Sequence, residues 1–542
     1  MLFSSASLCV LCGQSPSHRA APPLGAREVD AIATLEMLED RRRLDTTALA
    51  ALLADAHAEV RRRAAVAVGR IADRRGVALL RARPLDADTA VAAATVFAVG
   101  QLRDSAAVPW LDSLLSAPRT APTVATEAAA ALGKIRTVTA RDALERFLAA
   151  APTDARGRAT VGEALLAIGR VTARGDLGPI VRWTRSPDEE VRWRATWALF
   201  RPRDPAAVPT LLALAADRSP LVRSWAVRGL SRPQADSAGR RAEAEARLLA
   251  AARDRDRRVR TEAVRALGTY ADSAAVQTLL AALGSADTWL SVSAAEGLAR
   301  VRDPAVVRAL VGATAADHPC ALRITALRTL QGAAPAEALG AAPEVARDSV
   351  PYCRATAAQV LTALRDTARS TGPRRATPRP GPDTTRGLAD YRRLVERWVV
   401  PDYEGKPRPR VVWTTPRGAI EIELYPGDAP MAVEEVMRLT ASGAIVGTEF
   451  TRVVPDFVAQ QRPVVGARLQ RDEVSRRRLL RGNLSWATAG LDTGVPGYTL
   501  GNTPQPHNEG DFTSVGRVVR GLDVVDRLAL GDAVTAARVV GP

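Results

Sequence analysis

Lysine is nearly absent from this chain of 542 residues, in which Lys134 and Lys406 are the only lysines. The formal net charge of +16 therefore comes almost entirely from arginine. A nucleic-acid groove concentrates its cations in a stripe on one face, whereas here the arginines are spread along the chain among acidic residues. This pattern favours a solvated surface whose many arginines reflect a bias in genome composition. We therefore predict no nucleic-acid partner.

Histidine, cysteine and long apolar runs are also scarce. The four histidines are dispersed without metal-ligand spacing, so we predict no metal and no cofactor. No stretch approaches the roughly 18 uninterrupted apolar residues of a membrane span, so we predict no transmembrane segment. Two of the four cysteines, Cys320 and Cys353, fall at different phases of the repeat described below. That difference favours two separate buried thiols over a disulfide.

The first residues, "MLFSSASLCVLCG", are apolar and small but lack the basic region of a signal peptide. One interpretation of residues 1–25 is an export signal, including a lipoprotein signal that ends at Cys9 or Cys12. Leu8 and Leu11 stand where such a signal has a small residue. The other interpretation is a disordered terminus. Both stay open here, and we expect the periplasm or cell envelope in preference to the cytoplasm.

A repeat with a period near 31 residues occupies most of the chain. Its copies include "VRRRAAVAVGRIAD" at 60–73 and "VAAATVFAVGQLRD" at 91–104, with apolar residues at helical spacing. Between copies an aspartate followed by serine or proline, as in "RDPAAVPTLLALA" at 203–215, predicts a helix start, because the carboxylate caps free N–H groups. Each unit is therefore predicted to be two short helices, and stacked units share one core.

This pattern resembles the HEAT-repeat superfamily, in particular its short, alanine-rich bacterial form, which is similar to phycobilisome-lyase-type repeats. The resemblance covers about 45–365, and we predict an all-α solenoid over 26–365. Such solenoids present a long surface that usually binds other proteins. The resemblance therefore implies a protein partner on the solenoid surface.

Two sets of residues inside the repeats have structural interpretations, and neither forms a constellation that performs chemistry. Arginines near the start of the second helix are predicted to form a ladder between repeats: Arg61, Arg192, Arg223 and Arg260. Tryptophans at helical spacing are predicted to pack in the core or between repeats: Trp193, Trp197 and Trp225.

The repeat pattern ends near residue 365. Residues 366–408 begin with "DTARSTGPRRATPRPGPDTT", which predicts a linker that also contains a short helix at 388–399. From Val411 onward the pattern is that of strands, with a hairpin in "VVWTTPRGAIEIELYP" and an amphipathic helix at 429–443. We therefore predict a second, mainly β domain over 409–542.

Four blocks of this second domain follow one another in an order that resembles cyclophilin-type peptidyl-prolyl isomerases. They are "TTPRGAIEIELYPGDAPMAVEEVMRL", "FTRVVPDFVAQ", "RGNLSWATAG" and "FTSVGRVVRGLDVVDRL". The resemblance implies a closed, eight-stranded β-barrel capped by two helices, acting on proline-containing polypeptides. The predicted fold class is thus multidomain: an all-α HEAT-like solenoid followed by a cyclophilin-like closed β-barrel.

The resemblance assigns catalytic roles to Arg452, Phe457 and Gln460. Isomerisation of a prolyl bond has a barrier of about 18–20 kcal/mol, because amide resonance is lost in the twisted state, and it needs no nucleophile. A guanidinium that hydrogen-bonds the prolyl nitrogen favours the twisted form over the planar one. Phe457 would hold the proline ring, and Gln460 would hold the preceding backbone.

The substrate-binding set implied by the resemblance departs from the family pattern in several places. Its members are Val458, Ala487, Thr488, Ala489, Thr499 and Phe512. Val458 replaces a methionine, Thr488 an asparagine, and Thr499 the second pocket phenylalanine. Phe512 replaces a histidine and supplies an apolar wall instead.

Three further positions depart from the family pattern outside that set. Gly497 replaces a glutamine, His507 falls near the pocket tryptophan, and Gln461-Arg462-Pro463 stands where the family has a Gly-Gly-Asp turn. We expect weaker proline binding than usual as a result.

Two functions are open from the sequence. The first is a prolyl isomerase that assists protein folding, with the solenoid binding client proteins. The second is a catalytically weak or inactive cyclophilin-like protein that acts as an interaction scaffold. Retention of Arg452, Phe457 and Gln460 favours the enzyme, whereas Gly497 and Thr499 favour the scaffold.

Overall fold

The computed structural model describes residues 22–151, 157–365, 385–468, 470–488, 490–494 and 497–541. The export-signal interpretation concerns mainly residues 1–21, which lie outside the described residues. Most of the predicted Pro/Arg-rich linker (366–384) and the predicted groove residue Ala489 also lie outside them. No helix in the described part of the chain is long and apolar enough to span a membrane.

Paired helices form an arm, as the repeat predicts. In chain order they are α1 (Ala26–Asp40), α2 (Thr46–Leu53), α3 (Ala58–Ile71), α4 (Gly76–Arg81), α5 (Thr89–Leu102), α6 (Val108–Ser116), α7 (Pro122–Ile135), α8 (Val138–Ala150), α9 (Arg158–Arg170), α10 (Gly178–Val181), α11 (Glu189–Phe200), α12 (Val208–Leu214), α13 (Pro220–Arg228), α14 (Arg232–Ser237), α15 (Arg241–Ala251), α16 (Arg257–Leu267), α17 (Ser273–Leu283), α18 (Thr288–Gly297), α19 (Pro304–Gly312), α20 (Cys320–Ala333), α21 (Pro335–Val345) and α22 (Pro351–Arg365).

Several repeats have an aspartate before their first helix that caps it, as the sequence predicts. The carboxylates accept hydrogen bonds from backbone N–H groups at the helix start, with Asp204 bound to Ala206 N and Asp303 to Ala305 N. Each such cap stabilises its helix by about 1 kcal/mol. In the repeats that have them, these caps mark where the first helix begins.

The second helices of successive repeats stack side by side and form what we call the inner helices: α3, α5, α7, α9, α11, α13, α16, α18, α20 and α22. Small residues let them approach closely. A Cβ atom on Gly69 would lie 2.8 Å from the Cα of Ala98, and one on Gly133 would lie 2.6 Å from the Cα of Ala167. The alanine and glycine content of the repeat is therefore a packing requirement.

The predicted arginine ladder is present. Arg61 donates to the Asp86 carboxylate of the next repeat at 2.6 Å and to the Asp55 carbonyl at 2.9 Å. Arg223 makes the same pair of contacts with Asp254 and the Asp217 carbonyl, each at 2.8 Å. The other two members pair in the same direction: Arg192 with Asp217, and Arg260 with Asp287. All three predicted packing tryptophans are buried: Trp193, Trp197 and Trp225.

The interpretation of Cys320 and Cys353 as separate thiols is wrong. The two cysteines form a disulfide between α20 and α22, with their Cα atoms 5.8 Å apart. The different positions of the two cysteines within the repeat suggested that they lie apart. However, Cys320 is the first residue of its helix and Cys353 lies in the first turn of the next inner helix. Adjacent helix starts bring the two Cβ atoms together despite the difference in phase.

We expect Cys320 and Cys353 to resist alkylation in the unfolded chain unless a reductant is added. The disulfide removes both thiols, so unfolding alone exposes no reactive sulfur at these positions. Peptide mass spectrometry after iodoacetamide treatment with and without dithiothreitol measures this. Full alkylation of both peptides without dithiothreitol would contradict the disulfide.

The C-terminal strands form one antiparallel sheet of eight strands in the order β3-β4-β6-β5-β7-β2-β1-β8. Their bounds are β1 (Arg410–Thr415), β2 (Gly418–Leu424), β3 (Phe450–Val454), β4 (Val458–Gln461), β5 (Asn483–Trp486), β6 (Tyr498–Gly501), β7 (Ser514–Arg520) and β8 (Ala536–Val540). The predicted hairpin is β1–β2, in register from Arg410↔Glu423 to Thr415↔Gly418.

The sheet curls so that its two edges approach each other, and we call it the barrel. Phe450 N donates to Asp532 O at 2.7 Å, and Gly447 N donates to Val534 O at 2.8 Å. These contacts join the segment before β8 to the start of β3. Only a short stretch of hydrogen bonds therefore closes the barrel, and the edge strands β3 and β8 do not pair along their length. The two capping helices are α25 (Pro430–Ala441) and the short α26 (Leu522–Val525).

A helical segment before the barrel returns the chain to the first helix of the arm. It comprises α23 (Leu388–Leu394), a π-helical turn (Val395–Val399) and α24 (Val400–Tyr403). Tyr391 and Val395 pack with Ile32 of α1, and the Tyr391 hydroxyl donates to the Asp40 carboxylate at 2.6 Å. The barrel therefore begins beside the N-terminal end of the arm.

The inner helices pack on the barrel along nearly the whole arm, which the sequence did not predict. Arginines of these helices donate to barrel carbonyls: Arg70 to Val474 at 2.9 Å, Arg170 to Pro506 at 2.9 Å, Arg228 to Asp456 at 2.7 Å and Arg265 to Pro455 at 3.0 Å. At the far end, the Tyr352 hydroxyl of α22 donates to the Thr451 carbonyl of β3 at 2.8 Å. The surface expected to bind a partner protein thus holds the chain's own barrel.

Candidate active site

A row of polar side chains crosses the outer face of the barrel on β3, β4 and β6. Arg452 is the register partner of Gln460, and Gln460 is the register partner of Thr499. Their neighbours Ala459 and Leu500 alternate to the other side and belong to the barrel core. Because strand side chains alternate between faces, the sequence places Arg452 and Gln460 together outside the core.

Arg452 is free to interact with a ligand. Its Nη1 lies 3.4 Å from the Oε1 of Gln460, and its Cζ lies 5.5 Å from the ring centroid of Phe457. Among the described residues it has no carboxylate partner. The residue as a whole is exposed, yet partial burial of the guanidinium beside the arm lowers the pKa of Arg452 below its usual value. The cation therefore faces a space that only partly hydrates it.

Phe457 is held rigidly at the start of β4. Its N–H donates to Val454 O at 3.1 Å, and its carbonyl accepts from Asn502 N at 3.0 Å and from the Gln505 side chain at 2.9 Å. The ring stacks on His507, with centroids 5.6 Å apart and an interplanar angle of 24°. An apolar platform thus lies beside the Arg452 guanidinium.

Two cavities open where these residues face the arm. One, of about 740 Å³, is lined by Val454, Phe457 and His507 from the barrel and by the ends of α11, α13 and α16 from the arm. The other, of about 570 Å³, is lined by Arg452, Val454 and residues of α18 and α20. Val454 lines both, so the two cavities are neighbours. We call them the phenylalanine cavity and the arginine cavity.

Three predicted groove residues lie on or directly beside β4, β5 and β6. Val458 is buried beside Phe457 on β4. Thr499 is buried next to Gln460, and its hydroxyl donates to Ser485 O at 3.4 Å. The N–H of Ala487 donates to Gly497 O at 2.7 Å. Thr499 therefore contributes a satisfied hydroxyl where the family pattern has an aromatic ring.

Thr488 and Phe512 lie elsewhere. Both line a third cavity, of about 640 Å³, against α3 and the end of α5. The Thr488 hydroxyl is engaged with Thr493 Oγ1 at 2.9 Å. The structure thus unites Arg452, Phe457 and Gln460 and separates Thr488 and Phe512 from the phenylalanine cavity. Within the described ranges, no group of three His, Cys, Asp or Glu side chains is placed to hold a metal ion.

The barrel sequence matches a known family along its whole length. Residues 410–541 match the family model for the cyclophilin type peptidyl-prolyl cis-trans isomerase/CLD. Peptidyl-prolyl cis-trans isomerase B of Bacillus subtilis is 35% identical over 130 residues, which cover 22% of this chain and 91% of the relative. The chain belongs to the cyclophilin-type peptidyl-prolyl cis-trans isomerases.

A second relative agrees with this assignment, and a second family model identifies the arm. A peptidyl-prolyl cis-trans isomerase of Synechococcus elongatus is 30% identical over 139 residues, covering 24% of this chain and 96% of the relative. A solved cyclophilin type isomerase of Cryptosporidium parvum covers 25% of this chain and 98% of its own, with 18% identity and a TM-score of 0.23. Residues 84–166, 177–241 and 245–320 match HEAT repeats. The chain is thus a cyclophilin domain joined to a HEAT-repeat arm.

The arm residues that face the cyclophilin site were missed by sequence reasoning. Trp225 and Arg228 of α13 line the phenylalanine cavity, although they precede Phe457 by more than 200 positions. No local pattern distinguishes them from other repeat residues. His507 was noted only as the residue near the family's tryptophan position, and its stacking on Phe457 places it in the candidate site.

We expect His507 to stay neutral at physiological pH. Burial lowers the pKa of His507 from 6.5 to about 4, and the nearby cations of Arg201, Arg228, Arg170 and Arg136 add to the effect. A histidine pKa lowered on folding stabilises the fold above pH 6.5 and loses that contribution as pH falls from 6.5 toward 4. Imidazole NMR should show a titration midpoint near pH 4, with the resonance assigned by its loss in His507→Phe.

Catalytic rates provide a second check on the His507 titration. The imidazole carries no charge between pH 6 and 8. The pH profiles of kcat/KM for wild type and His507→Phe should therefore have the same shape in this range, without an inflection near pH 6.5 that only wild type shows. A midpoint near pH 6.5 in either measurement would contradict the buried placement of the ring.

Proposed function

We propose that this protein isomerises prolyl bonds in polypeptide segments that enter the space between the barrel and the arm, and that it thereby assists the folding of client proteins. One observation carries the proposal. Arg452, without a carboxylate partner among the described residues, lies 5.5 Å from the Phe457 ring and 3.4 Å from the Gln460 amide oxygen. A cation, an apolar platform and an amide are groups that together can stabilise a twisted prolyl bond.

The chemistry follows from these three groups. The proline ring rests on Phe457, which excludes water from one side of the imide. Gln460 hydrogen-bonds the backbone that precedes the proline and keeps it still. Arg452 donates to the prolyl nitrogen as its lone pair localises, and this interaction is stronger in the twisted state than in the planar one. No atom is transferred, and no covalent intermediate forms.

The arm would bring polypeptides to this site. Its inner helices form the far wall of both cavities, so a bound segment would touch arm and barrel together. A scaffold without catalysis is the competing function, and the departures at Gly497 and Thr499 favour it. Arg452 favours the isomerase, because recognition alone does not need a guanidinium beside the proline platform that lacks a carboxylate partner among the described residues.

The test is exchange NMR on a short Ala-Pro peptide with the full-length chain. We expect the protein, at micromolar concentration, to accelerate cis–trans exchange of the peptide well beyond its uncatalysed time of tens of seconds. Refolding of a protein whose slow phase is prolyl isomerisation provides the second measurement, and the chain should shorten that phase. Peptide binding without faster exchange would leave only the scaffold.

A further inference from the structure

The phenylalanine cavity has an arm wall whose chemistry differs from that of the barrel wall. The arm wall contains Phe200 and Trp225 together with several arginines. Trp225 is buried, whereas Arg203 and Arg300 are exposed and mark the mouth. At about 740 Å³ the cavity falls within the 300–1,000 Å³ that binding sites commonly occupy.

Aromatic side chains of the arm stand across the cavity from the proline platform. The rings of Phe200 and Trp225 lie 5.9 Å apart. Aromatic pairs at such distances bury large apolar areas. The arm therefore supplies the apolar wall that Thr499 does not.

The charge of the cavity is strongly positive. Five arginines and two carboxylates line it, namely Arg201, Arg203, Arg228, Arg265, Arg300, Asp204 and Glu262. Glu262 pairs with both Arg228 and Arg265. Asp204 caps the helix that follows it. The remaining cations are not neutralised, because the described residues place no carboxylate at ion-pairing distance from Arg201, Arg203 or Arg300.

The arginine cavity continues this positive surface. Arg302 and Arg328 line it together with Arg452, and Glu296 is its carboxylate. Arg302 donates to the carbonyls of Ala299 and Gly332 rather than to an acid. Burial and the charge of Arg203 also lower the pKa of Arg201, as expected where cations lie close together without acids. A segment that crosses both cavities would meet cations on either side of the proline.

We propose that the cavity between arm and barrel selects polypeptide segments in which acidic side chains flank the proline, with Arg201, Arg203 and Arg300 binding the carboxylates and Trp225 and Phe200 covering the proline platform. This inference rests on the proposed isomerase function and names the substrate class of that same site. Arginine is suited to carboxylates because its planar guanidinium donates two parallel hydrogen bonds. The arm thus determines specificity while the barrel performs the isomerisation.

The experiment compares three peptides that differ only beside the Ala-Pro bond, carrying glutamate, glutamine or lysine. Exchange NMR with the full-length chain gives kcat/KM for each. We expect the glutamate peptide to be isomerised about tenfold faster than the glutamine peptide, which corresponds to about 1.4 kcal/mol of added binding. The lysine peptide should be the slowest, and the ratios should shrink in 0.5 M NaCl because salt screens partly exposed charges.

A triple variant locates the selectivity. Arg201→Gln/Arg203→Gln/Arg300→Gln should reduce the glutamate-to-glutamine ratio to about one. The matched control removes the same charge from exposed arginines outside the inner helices, Arg247→Gln/Arg253→Gln/Arg308→Gln, and should keep the ratio. Arg203→Gln and Arg300→Gln as single variants at exposed positions should each lower the ratio in part, even if the triple variant does not fold.

The outcomes separate this inference from the proposed function. No acceleration of any peptide would overturn the isomerase function itself. Equal rates for the three peptides, or a preference for lysine, would overturn the acidic selectivity and leave the isomerase intact. A glutamate preference that survives in the folded triple variant would also overturn the inference, because the carboxylates would then bind elsewhere.

Discussion

Replacing Arg452 with alanine is expected to lower kcat for a proline peptide by about 100- to 1,000-fold, the range found when a single donor to a transition state is removed. The guanidinium has no ion-pair partner among the described residues and makes one long contact, 3.4 Å from Gln460. Its removal therefore costs the fold little. The thermal unfolding midpoint should stay within about 1 °C, since surface changes of this kind are worth less than 0.5 kcal/mol.

The division between kcat and KM distinguishes catalysis from binding. Since the proposed role of Arg452 is to act on the twisted bond, the loss should appear in kcat with KM nearly unchanged. Arg452→Lys keeps the charge without the planar fork and should fall between wild type and alanine. Arg520→Ala is the matched control, because Arg520 is an exposed barrel arginine on β7. A wild-type rate in Arg452→Ala would leave the barrel without its proposed catalyst.

Replacing Arg228 with methionine is expected to lower the free energy of unfolding by about 3–5 kcal/mol, the cost of breaking one side of a buried ion pair. Arg228 joins arm to barrel: its Nε lies 2.8 Å from Glu262 and its Nη2 lies 3.0 Å from Asp456. Both carboxylates are nearly inaccessible to solvent. Glu262 retains Arg265, whereas Asp456 is left as an unpaired buried charge.

The pH dependence of this loss has a definite sign. Burial raises the pKa of Asp456 from 3.8 to about 7, and removing Arg228 raises that pKa further. A carboxyl group with a raised pKa favours the folded state while it is protonated, and this contribution is lost as pH rises through the folded-state pKa. The destabilisation by Arg228→Met should therefore be larger at pH 8 than at pH 5. Urea denaturation at the two pH values measures it.

Two further variants test the explanation. Arg103→Met removes another arginine that pairs with a barrel carboxylate, Asp511, at a more exposed position, and should cost less than about 1 kcal/mol. Adding Asp456→Asn to Arg228→Met removes the stranded charge and should recover part of the lost stability. An Arg228→Met loss that is no larger than that of Arg103→Met would show that the contact contributes little.

Much of the arm could be predicted because its physics is local. Helical spacing of apolar residues, aspartate caps such as Asp204, and the arginine of each second helix all act within one repeat or between neighbours. The disulfide between Cys320 and Cys353 was missed because the position of a residue within the repeat predicts only the helix face on which it lies. It does not predict how close the starts of two adjacent helices come to each other. The barrel strands followed from alternation, and the hairpin β1–β2 from its turn.

The candidate site could be predicted only in part. Arg452, Phe457 and Gln460 come from one strand–turn–strand segment, so their spacing in sequence fixes their proximity. Thr488 and Phe512 depend on how long loops fold against the arm, and local rules do not determine that. The arm wall could not be predicted because it depends on contacts such as Arg228 with Asp456, 228 positions apart.

The docking of the barrel on the inner helices also bears on biosynthesis. The arm precedes the barrel in the chain and leaves the ribosome first, at a time when Arg70, Arg170 and Arg228 lack the carbonyls and carboxylates that receive them in the finished protein. The nascent arm thus displays charged side chains of both signs, because the same arginines also pair with Glu39, Glu163 and Glu262 of the arm. The C-terminal part of the chain covers this surface once translation ends.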